Sequence, residues 1–437
     1  MKHMADLSIA LCGDVLPGQR LPSYEEGTAI AEILKKCDIR FGNLETTVHR
    51  NEGTPAAFPG GCYTMADPRI LDDLKNLGFN IFNIANNHLM DYGEGGLLAT
   101  LDNLDKRDIP HAGAGRDLQE ASKAAYLVSK DGYRVALISV TSSFHDSYLA
   151  GPHGTNIPGR PGISPLRHKS ICELPKNDFE ILSSIIDKTG INSYHNQAIK
   201  EGFLPSTTDL KVGYYNFKEG HDYVFKSMPL DEDLNRTLKE IREAKFFADN
   251  IIVSVHGHQF ENNGTKEDAP QFMKLFAKKC IDAGADIIVC HGPHIIRGIE
   301  IYKHGLIFHG IGNFILQYDM MSSLPAEAYL SSGIYDFDKC GPGELMMDIK
   351  TYGGTKGLIV DEKCWESIFA TVNYLDKGIS INLYPIELML NERKGLRGLP
   401  KLSRKSTILE RIRMLSIDYG TKIDIDDDCV GHITMNI

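Results

Sequence analysis

The sequence predicts an α/β fold. Short runs rich in Val, Ile, Phe and Ala alternate with amphipathic stretches of helical period. The runs are apolar at consecutive positions, as in strands buried on both faces. Five of them end in a polar side chain able to bind metal, and α/β sheets assemble their sites at the carboxyl ends of strands.

The strand candidates, in order, are residues 7–12, 39–42, 80–85, 134–140, 251–255, 286–289 and 306–310. Helices or a second sheet must cover both faces of such strands. Residues 29–37 form the first helix candidate. Residues 68–77 form the next, with apolar Ile70, Leu71, Leu74 and Leu77, Asp67 as N-cap and Pro68 at the first helical position. Residues 93–107 carry Leu97, Leu98, Leu101 and Leu104 on one face. Residues 271–283 stop at Gly284, a C-cap residue.

Residues 142–178 are rich in Gly, Pro, His and Ser and read as loop, while 179–186 and 231–248 read as helical. Residues 142–235 are therefore expected to be an insertion over the core, a lid. A last strand candidate spans 378–384, followed by a basic segment, 393–413, read as a solvated helix face, and an acidic end, 424–428. The expected organisation is one domain over 1–377 and a C-terminal extension, 378–437, packed on it. One strand candidate is too small a core to stand alone.

The chain has 437 residues, 42% hydrophobic and 24% charged, with a net charge of −11. This length allows a large core, and the composition excludes disordered and fibrous classes. The acidic balance argues against a nucleic-acid coat. No apolar run reaches the roughly 18 residues of a membrane span. Nine cysteines lie scattered, with no Cys-x-x-Cys pair, as suits a reducing compartment. The expectation is a cytoplasmic protein. The start Met1-Lys2-His3-Met4 leaves open a removed leader, and with it secretion.

The chemistry sits at the strand ends. Residues 7–12 run into Gly13-Asp14, 39–42 into Asn43-Leu44-Glu45, and 80–85 into Asn86-Asn87-His88 with Asp91 beyond. Residues 251–255 run into His256-Gly257-His258, and 286–289 into Cys290-His291-Gly292-Pro293-His294. Carboxylates, an amide oxygen and imidazoles suit Mn, Fe, Zn or Mg-like ions rather than a thiolate-rich structural zinc. The set is large enough for two ions ~3.5–4 Å apart, the spacing of two-metal hydrolysis. Cys12 and Cys290 read as small buried strand residues.

These motifs resemble the CapA, or poly-γ-glutamate capsule synthesis (PGA_cap), family. The resemblance rests on GDVLPGQR at 13–20, GNLET at 42–46, ANNHLMDYG at 85–93 and HAGAG at 111–115. VHGH at 255–258, HGPH at 291–294 and IGNF at 311–314 continue it in order, and GRPGISPLR at 159–167 looks like the longer members. The family is similar to the calcineurin-like metallophosphoesterases, which implies a four-layer α/β/β/α sandwich with a two-metal site. The resemblance implies Asp14 and His294 on a first metal, Glu45 as the bridge, and Asn87, His256 and His291 on a second. It implies His88 as the acid near the leaving group, oriented by Asp91.

The departures from the pattern are Leu16 where a ligand His is usual, Glu45 in place of Asp, and Gly292 in place of His. His258 is the candidate for the missing ligand, and one divalent ion or two stays open. Arg160, Arg167 and His168, in the insertion, are candidates to bind an anionic group of the substrate. The expected function is a metal-dependent hydrolase using a metal-activated water. Its substrate would be an anionic small molecule or γ-glutamyl-like oligomer, a class taken from the family alone. A phosphoesterase and a non-enzymatic accessory protein of polymer assembly are the alternatives.

Overall fold

The computed structural model describes residues 7–206, 209–213, 215–376 and 378–435, so the Met1–Met4 start lies outside the described residues. Two large sheets dominate. The first has ten strands. Its centre is parallel: Leu7–Leu16 between Ile39–Leu44 and Asn313–Leu316, then Ile81–Asn83 and His111–Ala112. Glu366–Leu375 pairs antiparallel with Leu7–Leu11, on the flank where Asn313–Leu316 takes the rest of that strand, followed by Gly378–Glu387 and Gly431–Met435. The second sheet has six strands, with Arg134–Thr141, Asn250–His256, Ile287–His291 and Gly305–Phe308 parallel at its centre.

Side-chain alternation explains why these runs look uniformly apolar. Leu7, Ile9 and Leu11 point into a cluster shared with Leu137, Ile252, Ile287 and Phe308 of the second sheet. Ala10 and Cys12 point the other way, to Ile30, Leu34, Leu74 and Leu101 of the helices Glu25–Leu34, Ile70–Leu77 and Gly93–Asp105. On the second sheet, Ile138, Val253 and Ile288 face outward to Leu238, Ile241, Phe272 and Phe276 of the helices Asp231–Ala244 and Gln271–Ala283. Both faces of each sheet are thus covered with apolar side chains.

All seven core strand candidates are strands, with shifted ends. The helix Gln271–Ala283 ends where expected, at Gly284 with φ of 113°. The helix expected from Pro68 starts at Ile70, because Asp67 and Pro68 form a turn whose carbonyls accept from Ile70 and Leu71.

One expectation needs correction. His168–Pro175, read as loop, is a central strand of a separate four-stranded sheet with Leu210–Val212, Tyr215–Gly220 and Val224–Pro229. Its residues are only half-buried, so they carry little apolar signal. The basic segment carries the helix Ser406–Ser416, which exposes Arg413 to solvent and buries Ile408, Leu409 and Ile412. Arg411 pairs with Glu366, and Lys405, just before the helix, with Glu387. The strands beyond residue 377 extend the first sheet, Gly378–Glu387 pairing with Glu366–Leu375 at ten positions.

Candidate metal centre

Neighbouring strands of both sheets converge on Asp14. Its strand comes unusually close to Asn313–Leu316: a Cβ on Gly13 would lie 1.9 Å from the Gly312 carbonyl oxygen. Asp14 Oδ1 accepts from the Asn43 amide at 2.8 Å and lies 3.2 Å from His291 Nδ1. Oδ2 accepts from the Gly292 backbone N–H at 3.2 Å and lies 3.6 Å from His294 Nδ1. Burial alone would raise the Asp14 pKa, but His291, His294 and His256 outweigh it and hold the carboxyl well below its usual range.

Glu45 is fully buried, 3.6 Å from His256 Nε2 and 3.8 Å from His294 Nε2, too far for hydrogen bonds. Burial, then Asp14 and Asp91, push its pKa well up. Burial thus favours a protonated Glu45 beside an ionised Asp14, and a cation in the cavity would favour ionisation of both.

The unsatisfied atoms point the same way. Both Glu45 carboxylate oxygens, Asn87 Oδ1, His256 Nε2 and both His291 ring nitrogens are buried without hydrogen-bond partners. Buried polar atoms are nearly always paired, so a cluster of orphaned ligand atoms fits a bound cation. Asp14, Glu45 and His294 offer atoms within 4.8 Å of one another, as do Glu45, His256 and His258. Glu45 belongs to both sets. His258 offers an atom to the set with Glu45 and His256, and its ring lies 5.1 Å from that of His256 and 5.6 Å from that of His294. Desolvation, then His294 and His88, lower the His258 pKa to about 3, which keeps the ring neutral and able to ligate.

Supporting amides fix these side chains. His294 Nδ1 lies 2.8 Å from Asn313 Oδ1, while Asn313 Nδ2 donates to the carbonyls of His294 and Cys364. That pattern identifies Oδ1 as the acceptor, so His294 carries its proton on Nδ1 and leaves Nε2 facing Glu45. Asn43 Oδ1 accepts from Asn83 and Asn86 as its Nδ2 holds Asp14. Sequence reasoning gave Asn43, Asn83 and Asn313 no role. Their signal is an amide inside or ending a buried apolar strand, which demands a partner.

His88 and Asp91 form a buried dyad, Nδ1 to Oδ2 at 2.7 Å. Asp91 also accepts from the backbone N–H of Gly60 and of Thr64 and from the Thr64 hydroxyl. Acceptor-only Asp91 leaves Nδ1–H as the donor, so His88 presents Nε2 to the cleft it lines. The departures also have local causes. Leu16 is buried in the helix-covered core, away from the cleft. Gly292 sits at φ of 100°, where a Cβ would meet Gly257 backbone at 2.9 Å, so a side chain there is strained.

Above the donors lies a cleft of about 350 Å³, lined by Asn87, His88, His258 and His294 and by Tyr318, Lys266 and Lys350. The structure brings Asp14, Glu45, Asn87, His88, Asp91, His256, His258, His291 and His294 together. It does not bring Arg160, Arg167 or His168 to this cleft. Arg160 donates to the Leu149 carbonyl, Arg167 pairs with Asp233 and Glu232, and His168 stacks on Phe272 at 4.1 Å. Arg167 and His168 line a separate cavity that shares Phe260 with the first. Met346, Lys350, Thr351, Gly357, Leu358 and Ile359 line the cleft, and no described residue of the insertion does. Cys12 and Cys290 are buried, and burial pushes the Cys290 thiol up to about 12.

The profile of the family described as bacterial capsule synthesis protein PGA_cap matches residues 8–318. An uncharacterised protein of Sinorhizobium fredii, y4sH, is 34% identical over 434 residues, covering 95% of this chain and 90% of its own length. The capsule biosynthesis protein CapA of Bacillus anthracis is 24% identical over 327 residues, 72% of this chain and 61% of that protein. A probable polyglutamine synthesis accessory protein of Mycobacterium tuberculosis is 26% identical over 285 residues, 64% of this chain and 56% of its own. Among the described residues, no helix is long and apolar enough to cross a membrane. From the buried strand-end motifs through to the full-length match, the chain belongs to the bacterial capsule synthesis protein PGA_cap family.

Proposed function

We propose that this protein is a metal-dependent hydrolase of γ-glutamyl-type amides, built on a four-layer α/β/β/α sandwich. The observation that supports it above all is the set of buried ligand atoms without partners around Glu45. Asp14, Glu45 and His294 would hold one divalent ion and Glu45, His256 and His258 a second, with Asn87 and His291 beside them. Mn, Fe or Zn suits these donors. A divalent ion held there supplies a water that is nucleophilic at neutral pH and a Lewis-acid contact for the scissile group.

The chain's own residues supply the rest. His88 Nε2 is placed to pass a proton to the leaving nitrogen, and Asp91 fixes the ring and its tautomer. Asn313 orients His294, and Asn43 orients Asp14. The printed names of the Bacillus and Mycobacterium relatives tie them to capsule and polyglutamine synthesis, which is the source of the substrate class. The nine free cysteines, eight of them buried, suit a reducing compartment such as the cytoplasm.

The test is turnover by protein reconstituted with Mn, Fe or Zn. Release of glutamate from a γ-linked oligomer is the expected result. Turnover of a chromogenic phosphodiester instead would move the reading to a phosphoesterase. With neither, the accessory role named for the mycobacterial relative stands.

A further inference from the structure

The family profile ends at residue 318, and the segment that roofs the cleft lies beyond it. A match covering 95% of the chain necessarily runs past that point, so the Sinorhizobium protein shares sequence outside the common region. The roof is a folded element. Tyr329, Cys340 and Leu345 pack on Tyr63, Met65 and Tyr92 beneath it. Its far end is tied down three times. The Trp365 indole donates to the Ile359 carbonyl at 2.7 Å, Lys363 pairs with Glu267 at 2.8 Å, and the Cys364 carbonyl accepts from Asn313 at 2.9 Å. The last contact joins the roof to the amide that orients His294.

Two ammonium groups border the cleft, Lys350 on the roof and Lys266 on the loop after His258. Neither forms an ion pair among the described residues, and no Asp or Glu is among the described residues lining the cleft. The fully buried Arg297 holds the Lys266 loop from below, donating to the carbonyls of Lys266 and Gln259. In a chain of net charge −11, an unpaired cationic rim on a buried site attracts an anion. The apolar residues Met346, Leu358 and Ile359 line the same cleft.

We propose that Lys350 and Lys266 clamp an anionic group that the substrate carries on a short aliphatic stem, away from its reacting end. Specificity is then set jointly by Lys350, beyond the shared family region, and Lys266, within it. The inference rests on the reading of the buried donor set as the reacting centre. The anion can be a carboxylate or a phosphate, because ammonium groups bind both as point charges.

The experiment is calorimetric titration of the full chain, metal-free and Mn-loaded, with three probes of similar length. Glutarate carries carboxylates, propyl phosphate a phosphate, and glutaramide no charge. Bound Mn per chain and thermal melting are measured alongside. One of the two anions is expected to bind, and glutaramide to bind at least tenfold more weakly. Lys350→Gln and Lys266→Gln are each expected to weaken anion binding about tenfold with Mn content and melting unchanged. Lys350→Arg, which keeps the charge, is expected to retain binding. Equal anion affinity in wild type and the double Gln variant, or no anion binding by wild type, overturns the clamp. Lysine-dependent anion binding in a chain that takes up none of Mn, Fe or Zn overturns the hydrolase reading and leaves the clamp standing.

Discussion

Replacing Glu45 by Gln is expected to change stability in opposite directions with and without metal. In the metal-free chain the Glu45 carboxyl is fully buried, both oxygens lack partners, and Asp14 lies in the same cavity. The amide removes an ionisable group that burial forces towards its protonated form, at nearly constant volume. Relief of that cost is expected to stabilise the metal-free chain by about 1–3 kcal/mol at neutral pH. For 437 residues, at roughly 2.1 cal/mol/K each, the unfolding entropy is about 0.9 kcal/mol/K, so the gain is about 1–3 °C in Tm. With metal the order reverses. Wild type gains about 2.7 kcal/mol, or about 3 °C, at a metal concentration 100-fold above Kd. The variant has lost the carboxylate common to both donor sets and gains little. Differential scanning calorimetry with and without Mn at pH 7.5, with elemental analysis of bound metal, measures both arms. Equal metal content and equal metal-induced shifts in the two proteins would refute the reasoning, because Glu45 would then hold no ion.

Three further outcomes are expected. His88→Asn should keep bound metal, by elemental analysis, and lower turnover by ~10²–10⁴-fold, the range of a lost general acid. Asn313→Leu frees the His294 ring from its fixed tautomer and should weaken metal affinity by about 10–100-fold in a competition titration with a chelator. Asp233, fully buried, opposes its own desolvation by pairing with Arg167 and Arg236, which lower its pKa. A depressed carboxyl stabilises the fold above its unfolded pKa, and that contribution fades as pH falls through the folded value. Asp233→Asn should therefore cost about 1.5–3 kcal/mol in urea unfolding at pH 7. The gap should narrow below pH ~4.

Much of the candidate site was legible because residues able to bind metal are chemically distinct and stand where buried strands end. Asp14, Glu45, Asn87, His256 and His291 stand out against Val and Ile, and the apolar runs that precede them are long enough to read. The amides were harder. Asn43 and Asn313 look like strand-end polar residues until Asp14 and His294 lie within 2.8 Å of them. The insertion misled for a related reason. Its Gly- and Pro-rich start suggested a cover for the site, and its arginines an anion pocket. In the fold Arg167 is held by Asp233, a residue 66 positions away. No local pattern announces such a pairing.

The sequence by itself determined the α/β class, the apolar strands and the candidate donor residues. Each depends on local composition and periodicity, which a chain carries without folding. Only the tertiary structure decided how the donors divide, with Glu45 common to both sets and His258 beside His256. It also decided that residues 346–359 form the roof, and that the C-terminal strands complete the first sheet. Those facts depend on contacts between segments tens to hundreds of residues apart, set by packing and by the pairing of buried polar groups.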